Sequence, residues 1–481
     1  MVFSSILFLC VFMPVVFCLY YICPGRLRNF FLLVASLLFY AWGEPKYICI
    51  MLFSTTFNYI EGILIEYFKK HDKESIKKAM LVLAVTGNIA ILCFFKYTDF
   101  IIKSLNGLWG THFSLLGIAL PIGISFYTFQ AMSYMIDVYR GRVSAQHNFF
   151  DFAMYICMFP QLIAGPIVRY EQVEGQIKER KITSENVALG LQRFIIGLGK
   201  KVLLANQIGS LWDKIYAMDV SEISVLSAWL GAFAYTFQIY FDFSGYSDMA
   251  IGMGQMLGFK FPENFNYPYM SKSITEFWKR WHITLGQWFK EYVYIPLGGN
   301  RKGLEVQIVN LFIVWSLTGL WHGAGWNFLI WGLYYFVILL MEKLFLHKLL
   351  DKLPGIFSHI YSIFIIVVGW VIFACDNFDK LGIYIKALLG MGVSVVKGTD
   401  IYLCYTNAIL FIILIFASTN IPVKLISFVK KKLMSKLKGF MFAFCKNIGF
   451  WCCAIYYFII LALSIALIIG ETYNPFLYFR F

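Results

Sequence analysis

Charge is what this chain has little of. Asp, Glu, Lys and Arg make up 14% of its 481 residues, where a soluble domain carries about 25%. No polar block is long enough to fold as a separate soluble domain, so 1–481 reads as a single unit. The eleven cysteines form no CxxC pair and show no metal spacing. Most sit in apolar runs such as LFLC, ILCFF and FWCC, as buried free thiols do. No HExxH and no histidine pair at i, i+4 points to a metal, so none is expected. GxSxG, a Ser-His-Asp arrangement and GxxxxGK[ST] are missing as well, which excludes serine-hydrolase and P-loop chemistry. The first segment lacks a basic n-region and a small-residue cleavage site, so it does not read as a cleaved leader. No repeat of 20–50 residues is visible.

What is there is apolar. Hydrophobic residues make 60% of the chain and aromatics 19%, which suits packed membrane spans and interfacial belts. The net charge of +14 falls between apolar runs, as positive-inside topology requires, and no nucleic-acid partner is expected. The expected fold is therefore an all-α polytopic membrane protein in contact with lipid. Spans are expected at 3–22, 29–43, 47–67, 79–95 and 113–138. Further spans are expected near 184–206, 222–242, 305–320, 326–341, 357–374, 402–421 and 447–469. Arg26 and Arg28, the run KKHDKESIKK, and Arg140 and Arg142 fall on one side in this scheme. The stretch 422–446 has seven lysines and no acid, so it belongs in the cytoplasm. Twelve crossings with both termini outside satisfy these charges. Residues 149–168 have basic flanks and two prolines, Pro160 and Pro166, and read as a re-entrant segment buried by protein.

Two stretches carry polar groups inside this apolar frame. The first is 241–303, the start of the 241–330 core segment. It is rich in Gly, Asn, Asp, Lys and Trp, and its lysines place most of it at the cytoplasmic surface. Trp278, Trp281 and Trp288 recur at helical spacing, which predicts an amphipathic helix carrying His282. The second is LTGLWHGAGWNFLIWG. Here His322 lies between two apolar runs, each of which looks too short to cross. Fifteen residues rise only ~22 Å against a core of about 30 Å. An ionisable residue at that depth is a functional candidate. A neutral histidine satisfied by a backbone group is the plainer reading. His71, His112, His147, His347 and His359 lie in loops or at span ends. With other chemistries excluded, histidine as a general base in a buried polar pocket is what remains.

FDFSGYSDMAIGMGQMLGF, WKRWHITLGQW, YIPLGGNR and GLWHGAGWNFLIWG together resemble the membrane-bound O-acyltransferase superfamily, in its bacterial alginate and peptidoglycan O-acetyltransferase branch. MVFSSILFL, LLVASLLFYAWGEP and FPQLIAGPIVRY resemble the same branch. The similarity extends over the whole chain. It implies a ring of about 11–13 helices with re-entrant segments around a thin centre, in a bacterial cytoplasmic membrane. It implies acetyl transfer from cytoplasmic acetyl-CoA, which is a donor substrate and not a bound cofactor. By motif match His322 becomes the catalytic base and His282 its partner. Trp321 and Trp326 would exclude water, and Lys279 and Arg280 would meet the donor phosphates. The resemblance also implies an extracytoplasmic partner, an esterase-like acetyltransferase of SGNH type, that places acetyl on a surface polysaccharide.

The chain ends in ETYNPFLYFRF, the tail 471–481. Gly470 to Tyr478 spans at most ~26–29 Å extended, enough to bring a phenol down from the outer surface. FLYFRF resembles the C-terminal motif of the small membrane protein of teichoic-acid D-alanylation, so Tyr478 is a candidate acyl relay. The plainer reading makes Phe476, Tyr478, Phe479 and Phe481 an interfacial belt. Three other functions compete: D-alanyl transfer fed by a carrier protein, a transporter without chemistry, and a scaffold for a secreted enzyme.

Overall fold

The structure is a computed structural model that describes residues 2–163, 165–219, 221–435, 439–470, 476 and 477. Every regular element among the described residues is helical. Among the described residues seven helices are long and apolar enough to cross a membrane: Ile48–Lys70, Glu74–Trp109, Leu304–His322, Trp326–Leu350, Gly355–Ala374, Gly398–Ala417 and Asn447–Gly470. Their outward faces are rows of exposed Leu, Ile, Val and Phe. In water such rows would be a liability, and in lipid they are the expected covering.

Several expected spans take a different shape. The 3–22 span is a short apolar helix, Phe8–Ile22. The 113–138 span begins late, because 110–123 is not helical and the helix is Ile124–Arg140. Against the twelve crossings expected, seven helices among the described residues are long and apolar enough to span, and the other expected spans fall on shorter helices or, for 222–242, on the longer helix Val225–Met256. Within 149–168 the chain forms two short helices, Phe149–Cys157 and Phe159–Leu162, whose side chains are buried in protein from Phe152 on. The free cysteines differ from expectation: Cys157 and Cys375 are buried, while Cys10, Cys18, Cys49, Cys93, Cys452 and Cys453 are exposed on the apolar surface.

The largest departure is Val225–Met256, a helix of 32 residues with 24 of them buried. The polar stretch from Asp242 onward is the second half of this central helix and not a surface loop. Its acids are matched by the neighbouring helix. Asp248 pairs with Arg193 at 2.9 Å and Lys200 at 2.7 Å, and Asp242 pairs with Lys201. The two helices also meet through glycine. A Cβ on Gly197 would lie 2.5 Å from the Gly245 carbonyl, and one on Gly190 would lie 2.5 Å from that of Gly252. Small residues let backbones approach this closely in membranes.

Candidate active site

His322 ends the Leu304–His322 helix, and the chain turns at once into Trp326–Met341. The two helices pack backbone to backbone. A Cβ on Gly319 would strike the Phe328 carbonyl, and one on Gly332 the Trp315 carbonyl. Gly323 is extended, with φ −166°, so its glycine provides space and not a special turn: a Cβ there would collide with the Phe328 ring. The first helix has 19 residues and rises ~28 Å, close to the hydrocarbon thickness of about 30 Å. Helix length therefore does not hold the turn at mid-membrane, contrary to the reading of the apolar runs.

Burial by protein defines the site instead. His322 is 5% exposed. Its ring meets the edges of Trp331 and Phe373 at 5.0 and 5.3 Å, and Trp321 lies at 5.0 Å. The helix end is capped from Glu74–Trp109. Tyr97 donates to the Leu320 carbonyl at 2.5 Å, and Lys96 Nζ donates to the Trp321 carbonyl. These are carbonyls that a helix C-terminus leaves unpaired.

His282 sits elsewhere than expected. The Trp-rich segment is two short helices, Ile274–Arg280 and Ile283–Phe289, and His282 occupies the break with φ 43°. A non-glycine residue in this left-handed region is uncommon and strained. The buried carboxylate of Glu342 pins the first helix by accepting from Ile274 N at 2.6 Å and Thr275 N at 2.8 Å. Asn264 holds the break. Its Oδ1 lies 3.0 Å from His282 Nδ1, 2.9 Å from Thr284 Oγ1 and 3.3 Å from Thr284 N.

This network fixes the proton on His282. The Ile167 amide donates to Thr284 Oγ1 at 3.1 Å, so that hydroxyl gives its own hydrogen to Asn264. The Thr284 amide can only donate, so the Asn264 atom it faces is the carbonyl oxygen. His282 must then present Nδ1–H, which leaves a lone pair on Nε2. Among the described residues Nε2 has no hydrogen-bond partner. His282 is 1% exposed, and burial pushes its imidazole down to about 3, so it is neutral near pH 7.

The two histidines belong to different cavities. His282 lines one of about 490 Å³ together with Thr275, Lys279, Lys290, Trp315 and Thr318. His322 lines a small one of about 70 Å³ with Lys96, Gly123, Ser125, Ile163 and Trp321. Lys96 also lines a cleft of about 840 Å³ with Lys103, Trp326, Asn327 and Asp376. The Trp321 ring packs against both imidazoles, 5.9 Å from His282 and 5.0 Å from His322.

The structure thus brings His322, His282, Trp321 and Lys279 together. Trp326 departs from the expected role. It is 46% exposed and packs on Phe100 at 5.6 Å in the cleft. Trp331 and Phe373 do the enclosing instead. Arg280 is engaged by Glu276 at 2.8 Å and the Asn266 carbonyl at 3.1 Å, and does not line the His282 cavity. Tyr478 lies outside the described residues. Its neighbours Leu477 and Phe476 are buried. Leu477 N donates to Asp242 Oδ2 at 2.9 Å, and Phe476 stacks on Tyr246 at 4.7 Å. Phe476 therefore sits in the core and not in an interfacial belt. Sequence reading missed Asn264, Thr284, Asp242, Lys201 and Lys96. Only Lys96 had a signal, a lone cation in the apolar run ILCFFKYTDF. Among the described residues no cluster of His, Cys, Asp and Glu could hold a metal.

Fold and site define a class: an all-helical, multi-pass membrane protein with two buried histidines on separate cavities. Residues 142–376 match the model of the membrane-bound O-acyltransferase family. The probable alginate O-acetylase AlgI of Pseudomonas aeruginosa is 43% identical over 396 residues, covering 82% of this chain and 75% of that protein. The peptidoglycan O-acetyltransferase of Helicobacter pylori is 37% identical over 431 residues, covering 82% of this chain and 81% of its own. The teichoic acid D-alanyltransferase of Bacillus subtilis is 28% identical over 271 residues, covering 53% of this chain and 67% of its own. The chain belongs to the membrane-bound O-acyltransferase family, and it is an O-acyltransferase.

Proposed function

We propose that this protein moves an acetyl group from cytoplasmic acetyl-CoA across the bacterial cytoplasmic membrane for O-acetylation of a cell-surface polysaccharide such as alginate or peptidoglycan. Both of its termini face outward. The observation that carries the reading is the pair of histidine cavities, with Trp321 packed against both histidines. The donor arm enters the His282 cavity, where Lys279 and Lys290 offer positive charge to its phosphates. The acceptor hydroxyl approaches His322 from the other side. His322 takes its proton as it attacks the thioester carbonyl and gives a proton to the departing thiolate. Buried aromatic walls keep water from intercepting the acyl group.

Acetyl is favoured over D-alanyl by likeness: the acetylase relatives match more of the chain at higher identity than the D-alanyltransferase. Tyr478 is the proposed relay, and an extracytoplasmic SGNH-type acetyltransferase then takes the group to polymer. Support comes from the residues before it. Leu477 is held by Asp242, and Phe476 lies 6.1 Å from Phe243, whose ring meets His282 at 4.7 Å. An aryl ester, from a phenol of pKa about 10, stays reactive enough to be passed on. Tyr478→Phe keeps the apolar body and removes the hydroxyl. Loss of polymer O-acetylation in cells is the expected result, and normal O-acetylation would refute the relay.

A further inference from the structure

Lys96 has no part in the reaction just described. It lies within the Glu74–Trp109 helix and is 8% exposed. Among the described residues its ammonium meets two oxygens, the Trp321 carbonyl and Ser125 Oγ at 3.5 Å, and pairs with no carboxylate. An ammonium buried without a counter-charge is costly, and in a membrane helix such a group marks function. Capping the helix end does not account for it. One residue away the neutral phenol of Tyr97 does the same for Leu320, with no charge to desolvate. Lys96 lines the small cavity with His322 and also the cleft beyond it. An ammonium has three donors. Two are engaged, which leaves one N–H for an incoming oxygen.

We propose that Lys96 is a catalytic residue that stabilises the oxyanion formed during acyl transfer, an assignment that rests on the acyltransfer reading above. The acceptor oxygen bonds to the thioester carbonyl carbon, and its proton passes to His322. The carbonyl π pair moves onto the carbonyl oxygen, which accepts the free N–H of Lys96. That pair then returns to re-form C=O as the C–S bond breaks. The thiolate leaves with the C–S electrons and takes the proton from His322. Lys96 neither gains nor loses a proton in the cycle. Preorganised donors aimed at developing charge supply large rate effects in sites closed to water.

The test uses the full-length protein in lipid vesicles with acetyl-CoA. It reads the single-turnover rate of thiol release, the half-saturating donor concentration and the unfolding temperature. Lys96→Gln keeps a donor for the Trp321 carbonyl and removes the charge. Lys96→Arg keeps the charge. Lys96→Gln is expected to slow release by ~10²–10³-fold with half-saturation and unfolding unchanged, and Lys96→Arg to recover at least ~10-fold of that loss. Release by Lys96→Gln within ~3-fold of wild type overturns the proposal. Should Lys96→Gln fail to fold, Lys96→Ala with added ethylammonium decides: a rise in rate supports the assignment, and no rise overturns it. Wild-type protein that releases no thiol at all refutes the acyltransfer reading itself, and so separates the two failures.

Discussion

At His282 four groups settle the chemistry before any substrate arrives: the Ile167 amide, the Thr284 amide and hydroxyl, and the Asn264 carbonyl. They place the proton on Nδ1 and hold the residue in a left-handed conformation. Asn264→Leu removes the shared acceptor and strands three buried donors. It should cost at least ~1–3 kcal/mol, read as a lower unfolding temperature, and should slow thiol release at least ~10-fold. Unchanged stability and rate would mean that the network is incidental. Because burial pushes His282 down to about 3, lowering the pH from 7 to 5 should not charge it. Nitrogen-15 NMR of labelled histidine should find at least one of the seven, His282, still neutral and Nδ1-protonated at pH 5. A His282 that is charged at pH 5 would contradict this. His322 was legible in the sequence because an ionisable residue is conspicuous among apolar ones, and His282 because it falls in a Trp-rich stretch that matches the family motif. Asn264 was not, since an asparagine in PENFNYP looks like any loop residue until its three donors are seen. Trp326 was misread because a tryptophan beside a histidine in sequence faces it only if the helix turns that way. Here the turn at Gly323–Gly325 sends Trp326 to the cleft.

Helices position these residues through close contact more than through long-range charge. The hairpin of Leu304–His322 and Trp326–Met341 depends on Gly319 and Gly332, whose hydrogens touch facing backbone. Gly319→Leu should separate the two helices, lower stability by ~1–3 kcal/mol and displace His322 from Lys96. The checks are thermal unfolding in detergent and thiol release. A variant with both unchanged would remove the hairpin as the positioning device. Apolar periodicity located most long helices within a few residues. It failed where polar residues are satisfied inside the bundle. Asp242 and Asp248 made the second half of Val225–Met256 look like a loop, yet Lys201, Lys200 and Arg193 face them from the adjacent helix. The glycines of GLQRFIIG and GYSDMAIG carried the evidence of that contact. Both pairs are seven residues apart, so each presents two small residues on one helix face.

Across the whole molecule Lys96 links the His322 cavity to the cleft, Trp321 touches both histidines, and Phe476 and Leu477 are buried. Phe476 stacks on Tyr246, and the Leu477 amide is held by the acid that Lys201 neutralises. Phe476→Ala should free this local segment with little change in global unfolding, and should lower polymer O-acetylation in cells at least ~10-fold. Normal O-acetylation would show that the buried Phe476 is not needed. The sequence alone indicated membrane class, family resemblance and both histidines. It could not indicate that His282 breaks a helix, which depends on how Asn264 folds back onto it, or that Phe476 and Leu477 lie in the core, which depends on partners more than 200 residues away. The most direct test is to give radiolabelled acetyl-CoA to vesicles containing the full-length chain or its His322→Ala variant. An acyl-transfer centre at His322 predicts thiol release and labelled protein in the wild type, and neither in a variant that still inserts. A His322→Ala protein that releases thiol at the wild-type rate would contradict it.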